Sequence, residues 1–137
     1  MGTSANVILI AGDIWPDTTV KTREVWFYRS YNGHPEDVKP VLKKLLREAK
    51  KKRIDGDIES VTNLFLTEIG KSPDNDFRVS GSNPDNYCSS EYFYLVDLTN
   101  DRIKSMNTCA TDFSEKKLNK FKKEIENLMK EKWRKSA

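Results

Sequence analysis

Apolar residues along the chain fall into runs and periodic stripes that predict its elements. The run Val7-Ile8-Leu9-Ile10-Ala11 and the stretch Val25-Trp26-Phe27-Tyr28 predict strands over 5–15 and 20–29, joined as a hairpin through Pro16-Asp17-Thr18-Thr19. From Pro35 to about Lys52, residues Val38, Val41, Leu42, Leu45, Leu46 and Ala49 recur at spacings of three and four, which marks one face of a helix. Pro35 suits its first position. Pro40 either distorts the start or moves it forward to Lys39. Asp55-Gly56-Asp57 breaks the pattern, and Asp57 caps a second helix whose stripe is Ile58, Val61, Leu64, Phe65 and Ile69, ending at Gly70.

A polar loop from Lys71 to Ser90 follows, interrupted by the extended piece Phe77-Arg78-Val79. Residues 91–98 read as a strand (Tyr92, Phe93, Tyr94, Leu95, Val96). Thr99-Asn100-Asp101 turns, and 102–108 returns as a hairpin partner. Ser114 caps a last helix with Leu118, Phe121, Ile125 and Leu128 on one stripe and Trp133 beyond it. The expected fold is therefore a single α+β domain over 1–137. Its sheet has about five antiparallel strands in the order ββααβββα, with helices packed on one face and a C-terminal amphipathic helix. That last helix, 114–137, packs in cis or forms a homodimer interface.

A chain of 137 residues fits one domain that buries a core without metal or disulfide staples. Charged residues make up 33% and the mean hydropathy is −0.73, yet the apolar positions are periodic, as expected of a wet-surfaced globular protein. The longest apolar run is too short to span a bilayer, and the N-terminus lacks a basic region followed by a signal-peptide core. The expected location is cytoplasmic, where Cys88 and Cys109 remain thiols rather than a disulfide. A net charge of +3 hides an asymmetry. Residues 39–53 hold eight Lys/Arg against Glu48 alone, and residues 114–137 hold nine Lys/Arg against four acids. Such helices either solvate their outer faces with lysine or attract nucleic acid, nucleotides or an acidic protein surface.

The stretch Tyr28-Arg29-Ser30-Tyr31-Asn32-Gly33-His34-Pro35-Glu36 joins a strand end, a turn and a helix start. Asn32-Gly33 supplies positive-φ residues for a tight turn, and Arg29 then lies beside a helix N-terminus. A guanidinium fork and free backbone N–H groups suit a phosphate. Against this, Glu36 and Asp37 already place negative charge there, and Arg29 can bridge to either. Arg78, Asn83, Asn86, Tyr87 and Tyr92 form a polar and aromatic set able to stack on a base, or else solvate a loop with Tyr92 in the sheet core. The candidate ligand-binding residues are thus Arg29, Tyr31, Gly33, His34, Arg78, Asn83, Tyr87 and Tyr92.

Catalysis finds no foothold. His34 is the sole histidine, no third group orients it toward Cys88 or Cys109, and phosphate-loop, dinucleotide-binding and zinc spacings are absent. Asp13, Asp17, Asp97 and Asp101 each sit where turn chemistry explains them. The expectation is a non-enzyme without cofactor or metal.

Tyr28 to Glu36, followed by two helices and an aromatic strand ending in Val96-Asp97-Leu98, resembles small phage and archaeal-virus proteins with a Tyr-Arg-His-aromatic-Asp-Gly-Tyr-Pro-Glu signature. Tyr28, Arg29, Tyr31, Gly33, Pro35 and Glu36 match it, whereas Ser30 replaces His, Asn32 replaces Asp and His34 replaces Tyr. Over roughly residues 20–105 the chain is similar to virus-encoded anti-defence sponges that sequester a cyclic-nucleotide immune signal, such as those acting against Thoeris. The resemblance implies a non-catalytic protein in the host cytoplasm that binds a small phosphorylated nucleotide. The alternative is a basic-surface inhibitor whose helices 39–53 and 114–135 contact a nucleic acid or an acidic host defence protein.

Overall fold

Every side chain from Ala5 to Ala11 is buried, and successive residues enter different cores. Ala5, Val7, Leu9 and Ala11 belong to one apolar cluster, and Ile8 and Ile10 to another. Since side chains on a strand alternate between faces, this segment is covered on both sides. The computed structural model describes residues 4–14, 20–29, 33–69, 77–81, 92–107 and 115–136. Its elements run β1 (Ala5–Ile14), β2 (Val20–Arg29), α1 (Pro35–Lys51), α2 (Ile58–Leu64, continued by a π-helical turn over Phe65–Ile69), β3 (Arg78–Gly81), β4 (Tyr92–Asp97), β5 (Arg102–Asn107) and α3 (Glu115–Ser136).

The class is α+β, but the expected all-antiparallel sheet is corrected. The strands are ordered β3-β2-β1-β4-β5, with β3 a short edge of four residues, and the sheet is mixed because β1 pairs with β4 in parallel. The pairs β1–β2, β2–β3 and β4–β5 are antiparallel. Parallel neighbours need a long crossover, and the segment holding α1, α2 and β3 supplies it. The two central helices share one face, as expected, and α3 takes the other. Val38, Leu42, Leu45, Leu46 and Ala49 of α1, with Ile58, Val61, Leu64 and Phe65, cover Val7, Leu9, Phe27, Tyr94 and Val96. Leu118, Phe121 and Ile125 of α3 cover Ile8, Ile10, Trp26, Phe93, Leu95 and Met106 on the other. The apolar stripe of α3 is therefore buried in cis, with Met129 rather than Leu128 completing its contact.

Local chemistry explains the helix ends and the close approach of α3. Pro35 begins α1 and Pro40 lies inside it without ending it, because the clash of its ring falls on the first turn, where the backbone has room to adjust. Asp57 is the N-cap of α2; its carbonyl accepts from Val61 N at 3.0 Å, and its carboxylate takes the Ser60 hydroxyl at 2.8 Å. The Thr67 hydroxyl bonds back to the Asn63 carbonyl at 2.8 Å within the widened turn after α2. Gly12 lets α3 lie against β1, since a Cβ there would fall 2.1 Å from Met129 Sδ. A partly buried ion pair, Lys122 to Glu24, ties α3 to β2, and Glu24 also accepts from Trp26 Nε1 at 2.9 Å. The expected Pro16–Thr19 turn, the Ser114 cap, Gly70, Trp133 and both cysteines lie outside the described residues or side chains.

Leu45→Ala and Phe121→Ala empty different cores. Each is expected to cost roughly 2–5 kcal/mol in chemical denaturation, as large-to-small changes at fully packed sites do. Loss of stability from Leu45→Ala alone would mean that α3 does not cover the second face.

Candidate functional site

Arg29 ends β2 directly opposite Ala5, and Ala5 is also paired with Tyr92, so the strand end, the start of α1 and the start of β4 meet at one end of the sheet. There Arg29 is 9% exposed, and its guanidinium lies over the Phe77 ring, 4.8 Å from its centroid. Phe77 in turn packs on Phe65, and Phe65 on Phe27. Arg29 is thus set into the core edge by cation–π stacking rather than displayed at the bend, because its strand position directs it to the α1–α2 face.

The neighbouring candidates join a framework. Gly33 is buried, and its carbonyl accepts from the Tyr94 hydroxyl at 2.5 Å. His34 is exposed, meeting Tyr92 edge-on at 5.5 Å, and Tyr92 stacks on Tyr94 at 6.2 Å. The His34 carbonyl accepts from the N–H groups of Asp37 and Val38 at 2.9 and 3.0 Å, which opens α1. Glu36 and Asp37 are exposed in that first turn and already complement its dipole. Arg78 pairs with Tyr28 in the short edge strand. Tyr31, Asn83, Asn86 and Tyr87 lie outside the described residues. Of the proposed set, the structure brings together Arg29, Gly33, His34 and Tyr92, and gives Gly33 and Arg29 packing roles.

A different concavity opens at the other end of α1. Lys43, Arg47 and Lys50, spaced as one row of the helix, wall a groove of about 480 Å³ whose remaining lining is Leu46, Ile103 and Asp101. Lys50 Nζ reaches Asp101 Oδ2 at 2.6 Å across its end. That hydrogen bond and the Asp101 charge raise the Lys50 ammonium above its ordinary pKa, with Asp55 adding to the effect. Asp101 is held there by its turn. Asp97, wholly buried, accepts from the N–H groups of Thr99 and Asn100 at 3.0 Å each, from the Asn100 amide at 2.9 Å and from Arg102 Nε at 3.1 Å. The backbone of Asp101 is left-handed, at φ 59°. The turn is fastened to the central strand by Leu98 N to Ile10 O at 2.8 Å and Gly12 N to Thr99 Oγ1 at 2.9 Å.

The groove can hold an anion against two or three cations above an aliphatic floor, and its volume lies within the range of small-ligand sites. The cations were visible in the sequence as a charge run. What marks them as a site is that Lys43, Arg47 and Lys50 share one flank of the stripe, a spacing signal that a simple count of basic residues discards. Asp101 as their counter-charge depends on a tertiary contact. Among the described residues no group of three or more His, Cys, Asp or Glu is placed to hold a metal ion, and no helix is long and apolar enough to cross a membrane. Comparison with protein-family models, curated proteins and solved structures finds no match.

Tyr94→Phe tests the framework. It leaves the Gly33 carbonyl without its donor and is expected to cost about 1–3 kcal/mol. Burial first, then the charges of Tyr92 and Asp37, push the Tyr94 phenol well above its ordinary value of 10.0. Its stabilising contribution is therefore complete below that value and is lost as pH rises above it, when unfolded chains ionise a phenol that the folded state keeps protonated. Ultraviolet titration should show a late tyrosine ionisation in wild type that is lost in Tyr94→Phe.

Proposed function

We propose that the chain is a non-catalytic binding protein that captures a small phosphorylated ligand in the groove between α1 and the β4–β5 hairpin. The observation that carries this reading is the cationic wall of Lys43, Arg47 and Lys50 around about 480 Å³ of open space. Lys43 and Arg47 are exposed and project two positive charges for one carboxylate, Asp101, on the opposite rim. Arginine supplies a planar fork for phosphate oxygens and lysine a mobile point charge, while Leu46 and Ile103 offer a surface on which a ring can lie. Sequestration of a cyclic-nucleotide immune signal, the role implied by the resemblance to viral anti-defence sponges, is the biological form of this reading. Of the signature residues, Gly33 and Pro35 then serve by setting the entry of α1, and Arg29 by packing on Phe77.

The alternative, a basic surface for nucleic acid or an acidic protein, draws on the same lysines differently. The two basic helices lie on opposite faces of the sheet and approach each other at the hairpin end, where Lys50 and Lys132 line one small cavity. An extended polyanion would have to pass around that end to touch both, which favours a compact ligand.

Calorimetry with ATP as the probe should show binding that the double reversal Lys43→Glu/Arg47→Glu weakens at least tenfold, about 1.4 kcal/mol. Affinity should fall with added salt. Retention of ATP binding by this variant, with its loss in Arg29→Lys, would move the site to the opposite end of α1. A salt dependence corresponding to many released counterions, seen with single-stranded DNA but not ATP, would favour the extended surface.

A further inference from the structure

Beside the cationic groove, and sharing Leu46, Lys50 and Asp101 with it, lies a second cavity of about 200 Å³ with a different lining. Its distinctive members are Asp55 from the α1–α2 connection, Asn100 from the hairpin turn and Lys132 from α3. Where the groove sets three cations against Asp101 alone, this chamber balances Lys50 and Lys132 with a second carboxylate, Asp55, and so adds acceptors. Asp55 and Asp101 are exposed carboxylates, and Asn100 Oδ1 is a buried acceptor with no partner among the described residues, its amide nitrogen being engaged by Asp97. The Lys50–Asp101 ion pair stands between the two chambers and joins one charge from each set. Both partners are about half exposed, so separating them exposes no buried charge, and a ligand can replace the contact with small net cost.

We propose that the two chambers form one composite site for a nucleoside phosphate, with phosphates in the groove on Lys43, Arg47 and Lys50 and the hydroxyl- or amine-bearing nucleoside part in the acceptor chamber on Asp55 and Asp101. This rests on the phosphorylated-ligand reading above and adds to it the recognition of the uncharged portion. Binding exchanges one ion pair for two matched contacts: Lys50 turns from Asp101 to phosphate, and Asp101 accepts from the nucleoside. A bare polyphosphate gains the first contact and leaves Asp101 as a like charge beside it. A site built to accept hydrogen bonds also discriminates against a ligand that has no donors to give.

The test compares ATP with inorganic tripolyphosphate by calorimetry on the whole chain. Wild type should bind ATP about tenfold or more tighter than tripolyphosphate. Asp101→Asn removes the repelling charge and frees Lys50, and asparagine tolerates the left-handed backbone there, so the variant keeps its turn. It should bind tripolyphosphate several-fold more tightly while the preference for ATP narrows. Asp55→Asn, which leaves the Lys50–Asp101 pair in place, should narrow the preference by weakening ATP alone. Equal wild-type affinity for the two probes, or a preference unmoved by both variants, overturns the composite site while leaving the groove as an anion site. Failure of wild type to bind either probe removes the phosphorylated-ligand reading and this inference with it.

Discussion

The central strand β1 is buried on both faces, and the rest of the architecture depends on that condition. With Val7 and Leu9 on one side and Ile8 and Ile10 on the other, all withdrawn from water, neither face of the sheet centre can be left to solvent. Two helical layers follow. One is α1 with α2, and the other is α3 alone, brought near β1 at Gly12 and tied at its flank by Lys122 to Glu24. β4 lies beside β1 in parallel with the same two-sided burial, from Phe93 to Val96. The hairpin turn that follows β4 is bonded directly to β1, so the rim of the candidate groove is a continuation of the most buried part of the molecule.

Much of this was legible in the sequence, because periodicity reports burial directly. The α1 stripe from Val38 to Ala49 and the α2 stripe from Ile58 to Ile69 lie where spacing predicts, and the four longer strands begin and end within one or two residues of their turn signals. The two-sided cover of the sheet had one cue in the sequence. The uninterrupted runs Val7–Ala11 and Phe93–Val96 are the signature of strands covered on both sides, as in parallel pairs, whereas a one-faced antiparallel sheet alternates apolar with polar. Considered only as too short for a membrane, the first run yields no information about layers. Strand order was not legible, since nothing local distinguishes a parallel β1–β4 neighbour from a further antiparallel hairpin.

The candidate site was less legible for a related reason. Arg29 stands at a bend whose local chemistry suits an anion, but which way a strand residue faces is decided by register, and register with Ala5 turns it onto Phe77. The motif's glycine and proline have clear structural uses: Gly33 O receives Tyr94 and Pro35 opens α1. Charge counting identified the basic helices but not their separation onto opposite faces, a tertiary fact that makes a single continuous basic track unfavourable.

The position of Asp101 shows how a fold sets the chemistry of a surface. Asp97 lies at the base of the hairpin with no exposure, and its two oxygens collect two backbone N–H groups, an amide and a guanidinium. These bonds satisfy a buried carboxylate and at the same time fix the turn. A turn so fixed forces Asp101 into the left-handed region, which aspartate tolerates better than most residues, and brings its carboxylate to Lys50. Without that carboxylate, the row Lys43, Arg47, Lys50 would be a uniformly positive flank open to any polyanion. With it, the row ends in a cation that already has a partner, so a ligand reaching Lys50 must offer Asp101 something in return. The charge pattern of this groove is therefore set by the hairpin as much as by the helix, and it traces through Asp97 to the strand buried at the centre of the sheet.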